Sequence, residues 1–225
     1  MNLNADLGEG VGSDEALLAC VDSANIACGA HAGSISIAIA TAWRCKELGV
    51  EVGAHPAYED RAGFGRVEKA LSAREVEALV GFQVAGLAAI APIAYVKPHG
   101  ALYHRSQQDA ATAEAVVRVA VRHGVGVVCQ EGFELAAAGQ RAGIPVYREG
   151  FADRLLLPDG SLAPRTRPGA VLPPHEAAAQ ALKLARSDRF DTICIHGDTP
   201  GGPGVAAEVR RALKAAGIET GRLRL

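Results

Sequence analysis

The sequence predicts a single-domain α/β protein, residues 1–225, in which parallel strands alternate with helices. The length of 225 residues is one that a single α/β barrel domain commonly has. The composition, 49% hydrophobic and 21% charged, is typical of a chain that buries a large core. Short apolar segments alternate with segments of helical periodicity, which is the pattern of β–α–β units.

Seven short segments are predicted to be strands, and the first of them alternates polar with apolar residues. In chain order they are Asn2–Asp6, Ala24–Ala27, Val50–Ala54, Ile93–Lys97, Val125–Cys129, Val146–Glu149 and Thr192–His196. Periodicity alone leaves open whether these strands form an open, doubly wound sheet or a barrel. In both folds the functional residues gather at the carboxyl ends of the strands.

Seven helices are predicted between or after these strands. They are expected at residues 14–21, 34–48, 72–90, 109–123, 131–142, 174–187 and 204–216. Ser72 and Glu75 have the spacing of a capping box at the start of the third helix. Gly49, Gly124 and Gly143 are placed to end helices in the left-handed conformation, as is Gly217. The connections 56–71 and 150–173 are longer than usual, which is typical of functional loops.

Charge and composition exclude several classes of function. Lysine and arginine total 23 against 25 acidic residues and are scattered, so we expect no nucleic-acid partner. The uncharged stretch 78–96 has apolar residues at helical spacing and is broken by Pro92, which predicts a buried helix and no membrane span. The N-terminus lacks a signal-peptide pattern, and the five cysteines form no CxxC pair. We therefore expect a cytoplasmic protein with reduced thiols.

Four of the seven histidines lie at or shortly after the ends of predicted strands: His31, His55, His99 and His196. A single histidine at such a position is as typical of a structural residue as of a ligand or a base. Four of them on one rim indicate an active site.

Other polar residues share this position at strand ends. They are Asn4, Asp6, Glu9, Lys97, Glu149, Asp153, Arg154 and Asp198. Asn4 and Asp6 point to the same side of their strand because side chains alternate. The structural alternative to a functional role is a helix cap for Asp6 and a solvated lysine at the rim for Lys97. No P-loop is present, and the glycines at 201–204 are typical of a flexible turn as well as of an anion cradle.

Several ordered motifs together resemble the LamB/YcsF family, and they extend from residue 2 to residue 198. They are NLNADLGEG from residue 2, ANIACG from 24, HAG from 31, GAHP from 53, GFGR from 63, VKPHGALY from 96, FADR from 151, DGSL from 159, PR from 164 and HGD from 196. Three positions depart from the family pattern: Ala30 replaces the usual Phe, Ser34 an Asp, and His104 an Asn. The Ser34 change removes a carboxylate from the expected rim.

The resemblance implies a distorted seven-stranded parallel β/α barrel, similar to those of glycoside hydrolases and polysaccharide deacetylases. It also implies a 5-oxoprolinase activity, in which 5-oxo-L-proline is opened to L-glutamate with ATP as co-substrate and subunits B and C as partners. A lactam resists hydrolysis, and phosphorylation of its amide oxygen activates it. We expect Asp6 or a rim histidine to act as general base, with Lys97 and Arg154 stabilising negative charge.

These expectations define two groups of site residues. The expected catalytic residues are Asp6, His31, His55, Lys97, His99 and His196. The expected substrate-binding residues are Asn4, Glu9, Glu149, Asp153, Arg154, Arg165 and Asp198.

Two other functions stay open at this stage. A stand-alone, divalent-metal-dependent deacetylase or amidohydrolase would use Asp6, His31 and His55 as ligands. The His-x3-His pair of such deacetylases is absent after His31, so the sequence does not support a metal cofactor. A non-catalytic subunit that binds a lactam or regulates partners would tolerate the loss of Asp6 and His99.

Overall fold

The computed structural model describes residues 1–158, 160–198 and 201–223, so Asp159 of the DGSL motif and residues 199–200 and 224–225 lie outside the described residues. Seven parallel strands form a closed barrel, and the last strand pairs with the first. The strands are β1 (Asn2–Leu7), β2 (Ser23–Ala27), β3 (Glu51–His55), β4 (Tyr95–Val96), β5 (Gly126–Cys129), β6 (Val146–Phe151) and β7 (Thr192–Ile195). The α/β class and the seven-stranded barrel are confirmed.

Eight helices lie in the described part of the chain. They are α1 (Asp14–Leu18), α2 (Ile35–Leu48), α3 (Ala73–Ala88), α4 (Gly100–Gln108), α5 (Ala110–His123), α6 (Glu134–Arg141), α7 (Pro174–Ala185) and α8 (Gly202–Ala215). Seven of them match the predicted helices to within three residues at each end. The sequence pattern did not predict α4, because its buried face includes the polar residues Ser106 and Gln107 and shows no apolar periodicity.

The two faces of the strands have opposite chemistry. On β1, Leu3, Ala5 and Leu7 belong to the main hydrophobic core, whereas Asn2 and Asn4 make hydrogen bonds inside the barrel. Side chains alternate along a strand, so one face packs against the helices while the other fills the barrel. The inner face of this strand is therefore polar and fully buried.

Polar side chains and one tyrosine ring fill the lower part of the barrel. Asn25 donates to Asn4 at 2.7 Å, and the Tyr95 hydroxyl donates to Asn25 at 2.7 Å. Gly53 leaves the space that the Tyr95 ring occupies, since a Cβ at position 53 would lie 2.1 Å from the ring. Tyr95 also packs with Tyr147. These contacts close the barrel below the site.

Local sequence signals account for several helix and strand ends. Ser72 and Glu75 form the predicted capping box. Ser34, one of the departures from the family pattern, is the N-cap of α2 and accepts a hydrogen bond from the backbone N–H of Ile37 at 3.2 Å. On the edge of the barrel, Arg148 of β6 and Asp191 before β7 form an ion pair at 3.0 Å.

The cysteines and the long apolar stretch behave as predicted. All five cysteines are free thiols, and burial raises the pKa of Cys28 to about 12. In the described residues, every helix is too short or too polar to span a bilayer.

Candidate active site

A cavity of about 500 Å³ lies at the carboxyl ends of the strands. Five predicted catalytic residues line it: Asp6, His55, Lys97, His99 and His196. The loops after β3 and β6 add three arginines to its wall: Arg66, Arg154 and Arg165. The cavity therefore combines acid–base groups from the strand ends with cations from the two long connections.

Three histidine rings form a compact cluster at the mouth of the barrel. His31 stacks on His99 with ring centroids 3.9 Å apart, and His99 Nδ1 lies 2.9 Å from His55 Nε2. Gly65 allows this approach, because a Cβ at that position would lie 2.8 Å from the His31 Cβ and 2.9 Å from the His99 ring. Burial, together with the charge of His55, lowers the pKa of His31 to about 3. Burial also holds the pKa of His99 well below its usual value.

Glu9 connects the cluster to the first strand. Its Oε1 atom lies 3.2 Å from His31 Nε2 and 3.7 Å from His99 Nδ1. Burial and the neighbouring charge of Asp6 raise the pKa of Glu9 to about 9. Both His31 Nδ1 and Glu9 Oε2 are buried without a hydrogen-bond partner among the described residues. These atoms mark a buried polar site whose hydrogen bonding is incomplete.

Lys97 lies below the histidines and joins two carboxylates. Its Nζ atom lies 2.7 Å from Glu149 Oε1 and 3.2 Å from Asp6 Oδ1, and it also contacts Asn4 and Cys194. Although burial opposes ionisation of Asp6, the charges of His55 and Lys97 hold the pKa of Asp6 well below its usual value. Asp6 is therefore a fixed anion that already accepts several hydrogen bonds.

His196 forms a pair with Asp153. Its Nδ1 lies 2.9 Å from Asp153 Oδ1, and its backbone N–H donates to Asp153 Oδ2 at 3.0 Å. Although burial raises the pKa of Asp153, the charge and hydrogen bonds of His196 lower it below the usual value. A carboxylate on Nδ1 fixes the tautomer and leaves Nε2 free to accept a proton. His196 lines the cavity and has the geometry of an oriented base.

Arg154 brings a buried positive charge to the cavity wall. The residue is 5% exposed, and its guanidinium donates to the backbone carbonyls of Ala163 at 2.6 Å and Ala170 at 3.4 Å. No described carboxylate lies within ion-pair distance of it, whereas Arg165 pairs with Asp198 at 2.9 Å. A buried guanidinium held by neutral acceptors is suited to an anionic ligand.

The predicted residues fall into four groups in the structure. Asn4 and Glu149 lie inside the barrel below the cavity and hold Lys97, and His31 and Glu9 lie beside the cavity behind His99. Asp153 and Asp198 position His196 and the arginines. The remaining predicted residues line the cavity. Their roles stay predictions.

Several residues of the cavity wall were not predicted to be site residues. Those with charged or aromatic side chains are Arg66, Tyr103, His104 and Phe151. Arg66, which pairs with Asp198, belongs to the GFGR motif, and Tyr103, which donates to Glu149 at 3.1 Å, ends the VKPHGALY motif. The motifs therefore carried a signal for both residues, but neither lies directly at a strand end.

Comparison with known proteins relates the chain to one family over its whole length. The LamB/YcsF family matches residues 1–224. The chain is 42% identical to the 5-oxoprolinase A subunit of Neisseria meningitidis serogroup C, over 97% of this chain and 98% of the relative. It is 43% identical to the protein of the same name from Chloroflexus aggregans, over 97% and 96% of the two chains.

Solved structures agree with this relationship. A lactam utilization protein from Thermus thermophilus superposes with a TM-score of 0.90 at 39% identity, covering 98% of both chains. A family 4 carbohydrate esterase from Streptomyces lividans has a TM-score of 0.62 at 10% identity, covering 100% of this chain and 92% of its own, and shares the fold. The sequence match, the motifs and the superposition all show that the chain belongs to the LamB/YcsF family.

Proposed function

We propose that this chain is the A component of a 5-oxoprolinase, which opens 5-oxo-L-proline to L-glutamate with ATP as co-substrate and together with subunits B and C. The observation that carries this proposal is one cavity of about 500 Å³ that combines an oriented His196 with a buried Arg154 held by neutral carbonyl oxygens. A small cyclic amide with a carboxylate needs both features. The names of the full-length relatives support the same assignment.

Arg154 is the residue we assign to the substrate carboxylate. Its planar guanidinium can bind a carboxylate through two parallel hydrogen bonds. Because the group is buried and held by neutral carbonyl oxygens, binding an anion neutralises its charge instead of breaking a described ion pair. Arg165 and Arg66, which pair with Asp198, lie further out and provide positive charge for a phosphoryl group.

The chemistry requires a base and an acid at the amide. Transfer of the γ-phosphoryl group of ATP to the amide oxygen makes the ring carbon electrophilic and releases ADP. Water then attacks this carbon and gives a proton to His196 Nε2. Collapse must break the C–N bond, so the ring nitrogen has to receive a proton as it leaves. The resulting acyl phosphate reacts with a second water molecule to give glutamate and phosphate.

We assign the second proton to His196 as well. After His196 has taken a proton from the attacking water, its Nε2 carries an acidic hydrogen that it can give to the ring nitrogen as the C–N bond breaks. The Asp153 carboxylate on Nδ1 stabilises the imidazolium between these two steps.

The test is glutamate release from 5-oxoproline and ATP, with this chain alone and with subunits B and C. We expect turnover only when ATP and all three subunits are present. His196→Asn should lower kcat by about 100-fold or more, the range for loss of a general acid or base. Arg154→Lys should raise KM for 5-oxoproline by about 10–100-fold, because a charged hydrogen bond is lost.

Matched controls separate these effects from loss of structure. Arg118→Lys, on the outer surface of α5 where the arginine pairs with Glu77, should leave both constants unchanged. A complex that assembles but releases no glutamate would refute the proposal. Release of acetate from an acetylated substrate by this chain alone, without ATP, would favour the deacetylase alternative.

A further inference from the structure

Two histidine rings at the barrel mouth meet nitrogen to nitrogen. His55 Nδ1 lies 2.7 Å from the backbone carbonyl of Lys97, and His99 Nε2 lies 2.9 Å from the backbone carbonyl of Phe64. A carbonyl oxygen only accepts hydrogen bonds, so each of these ring nitrogens carries the hydrogen. In the neutral rings, His55 Nε2 and His99 Nδ1 therefore both carry lone pairs, and they lie 2.9 Å apart. Two lone pairs at this distance repel each other unless a proton or a metal ion binds to them.

Two carboxylates converge on the same point. Asp6 Oδ2 lies 3.4 Å from His55 Nε2, and Glu9 Oε1 lies 3.7 Å from His99 Nδ1. Ligand atoms from all four residues lie within 4.8 Å of one another. Each of the four side chains is more than nine-tenths buried. The second oxygen of Glu9 has no hydrogen-bond partner among the described residues.

The surrounding charges leave a negative excess at this point. Lys97 forms ion pairs with Asp6 and Glu149. Among the described residues, the groups within ion-pair distance of Glu9 are the neutral rings of His31 and His99. Lys97 balances only one of its two carboxylate partners, and a buried carboxyl group such as that of Glu9 is stable only when it is protonated or bound to a cation. A divalent cation beside the two histidines would supply the missing positive charge.

We propose that a divalent transition-metal ion binds here, with Asp6, Glu9, His55 and His99 as its ligands. Two imidazole nitrogens and two carboxylate oxygens suit zinc or manganese better than calcium. The backbone carbonyls behind both rings are the outer hydrogen bonds that orient metal-binding histidines. The bound ion would supply Lewis-acid chemistry at the edge of the cavity. This inference depends on local geometry alone and is independent of the proposed function.

The ligand set differs from the one the sequence suggested, which was Asp6, His31 and His55. His31 Nε2 is directed to Glu9, and the ring stacks on His99, so His31 positions two of the ligands. A second group, Asp6 with Cys194 and His196, has the right residue types. That group is less suited to a cation, because the Lys97 ammonium already lies 3.1 Å from Cys194 Sγ.

Metal binding to the purified full-length protein tests this proposal. The protein is stripped with EDTA, dialysed, and titrated with Zn²⁺ or Mn²⁺ by calorimetry, and bound metal is then measured by mass spectrometry. We expect one ion per chain. Glu9→Gln and His99→Gln each remove a ligand, so each should weaken binding by more than the 10–100-fold typical of losing an outer hydrogen bond.

Two control variants locate the ion. His175→Ala removes an exposed histidine on α7 and should leave binding unchanged. His196→Asn should also retain the ion, whereas its loss in that variant alone would place the metal at the second group and overturn the proposal. Circular dichroism shows whether each variant folds, and Glu9→Gln preserves side-chain shape if His99→Gln does not fold.

Two further results would overturn the proposal. One is the absence of stoichiometric binding of either ion, which is expected if a shared proton lies between the two rings. The other is binding that Glu9→Gln and His99→Gln leave unaffected. Either result would leave glutamate release by the assembled complex untouched, so the failure of this inference can be distinguished from failure of the proposed function.

Discussion

Replacement of Lys97 by methionine should strongly destabilise the protein. Lys97 is 3% exposed, and its ammonium group is the ion-pair partner of two buried carboxylates, Asp6 and Glu149, at 3.2 and 2.7 Å. Methionine has similar length but no charge, so both carboxylates would lose their counterion without leaving a large cavity. Removal of one partner from a buried ion pair costs about 3–5 kcal/mol.

This cost can be measured by urea unfolding at neutral pH in the presence of EDTA. For a domain of this size, about 3–5 kcal/mol corresponds to a decrease in Tm of roughly 6–20 °C. Lys183→Met, at an exposed position on α7, is the matched control and should change the free energy of unfolding by less than about 0.5 kcal/mol.

A double variant tests the electrostatic origin of the effect. Adding Glu149→Gln to Lys97→Met removes one of the two stranded charges while keeping the side-chain shape. The double variant should therefore be more stable than Lys97→Met alone, because the two residues are coupled. A cost below about 1 kcal/mol for Lys97→Met would be typical of an exposed ion pair. That result, or no recovery in the double variant, would refute the reasoning.

Three further predictions concern stability. Gly53→Ala should destabilise the protein by about 1–3 kcal/mol or more in thermal unfolding, because the new Cβ overlaps a buried tyrosine ring. Gly86→Ala, where a Cβ meets open space, should instead stabilise the protein by about 0.4–1 kcal/mol. Equal effects of the two substitutions would contradict this reasoning. Asp191→Asn should be less stable than the parent protein at pH 7. Burial raises the pKa of Asp191, but the hydrogen bonds and charge of Arg148 lower it overall in the folded protein. The ion pair therefore stabilises the protein fully above the pKa that Asp191 has in the unfolded chain, and this stabilisation is lost as the pH falls through the lower pKa of the folded state. Urea unfolding should therefore show the two proteins converging below about pH 4, and a constant difference would contradict this. Ser34→Ala should lose about 1 kcal/mol of unfolding free energy through the lost helix cap, whereas Ser34→Asp, which keeps the cap, should not.

The sequence by itself determined the fold class and the place of the candidate site. Alternating apolar strands and helices gave parallel β–α units, and strand ends in such a fold must share one rim. Five of the six predicted catalytic residues do line the cavity at this rim. The choice between an open sheet and a barrel needed the family resemblance, because both have the same local periodicity.

Tertiary structure alone decided how these residues contact one another. No local pattern shows that His99 stacks on His31 while its Nδ1 faces His55, since these residues are 68 and 44 positions apart in the chain and come from different strand ends. The tautomers depend on backbone carbonyls that the chain brings in from two other segments. Distances between distant residues determine pKa values, ligand sets and the choice of base, and they exist only after the barrel has closed.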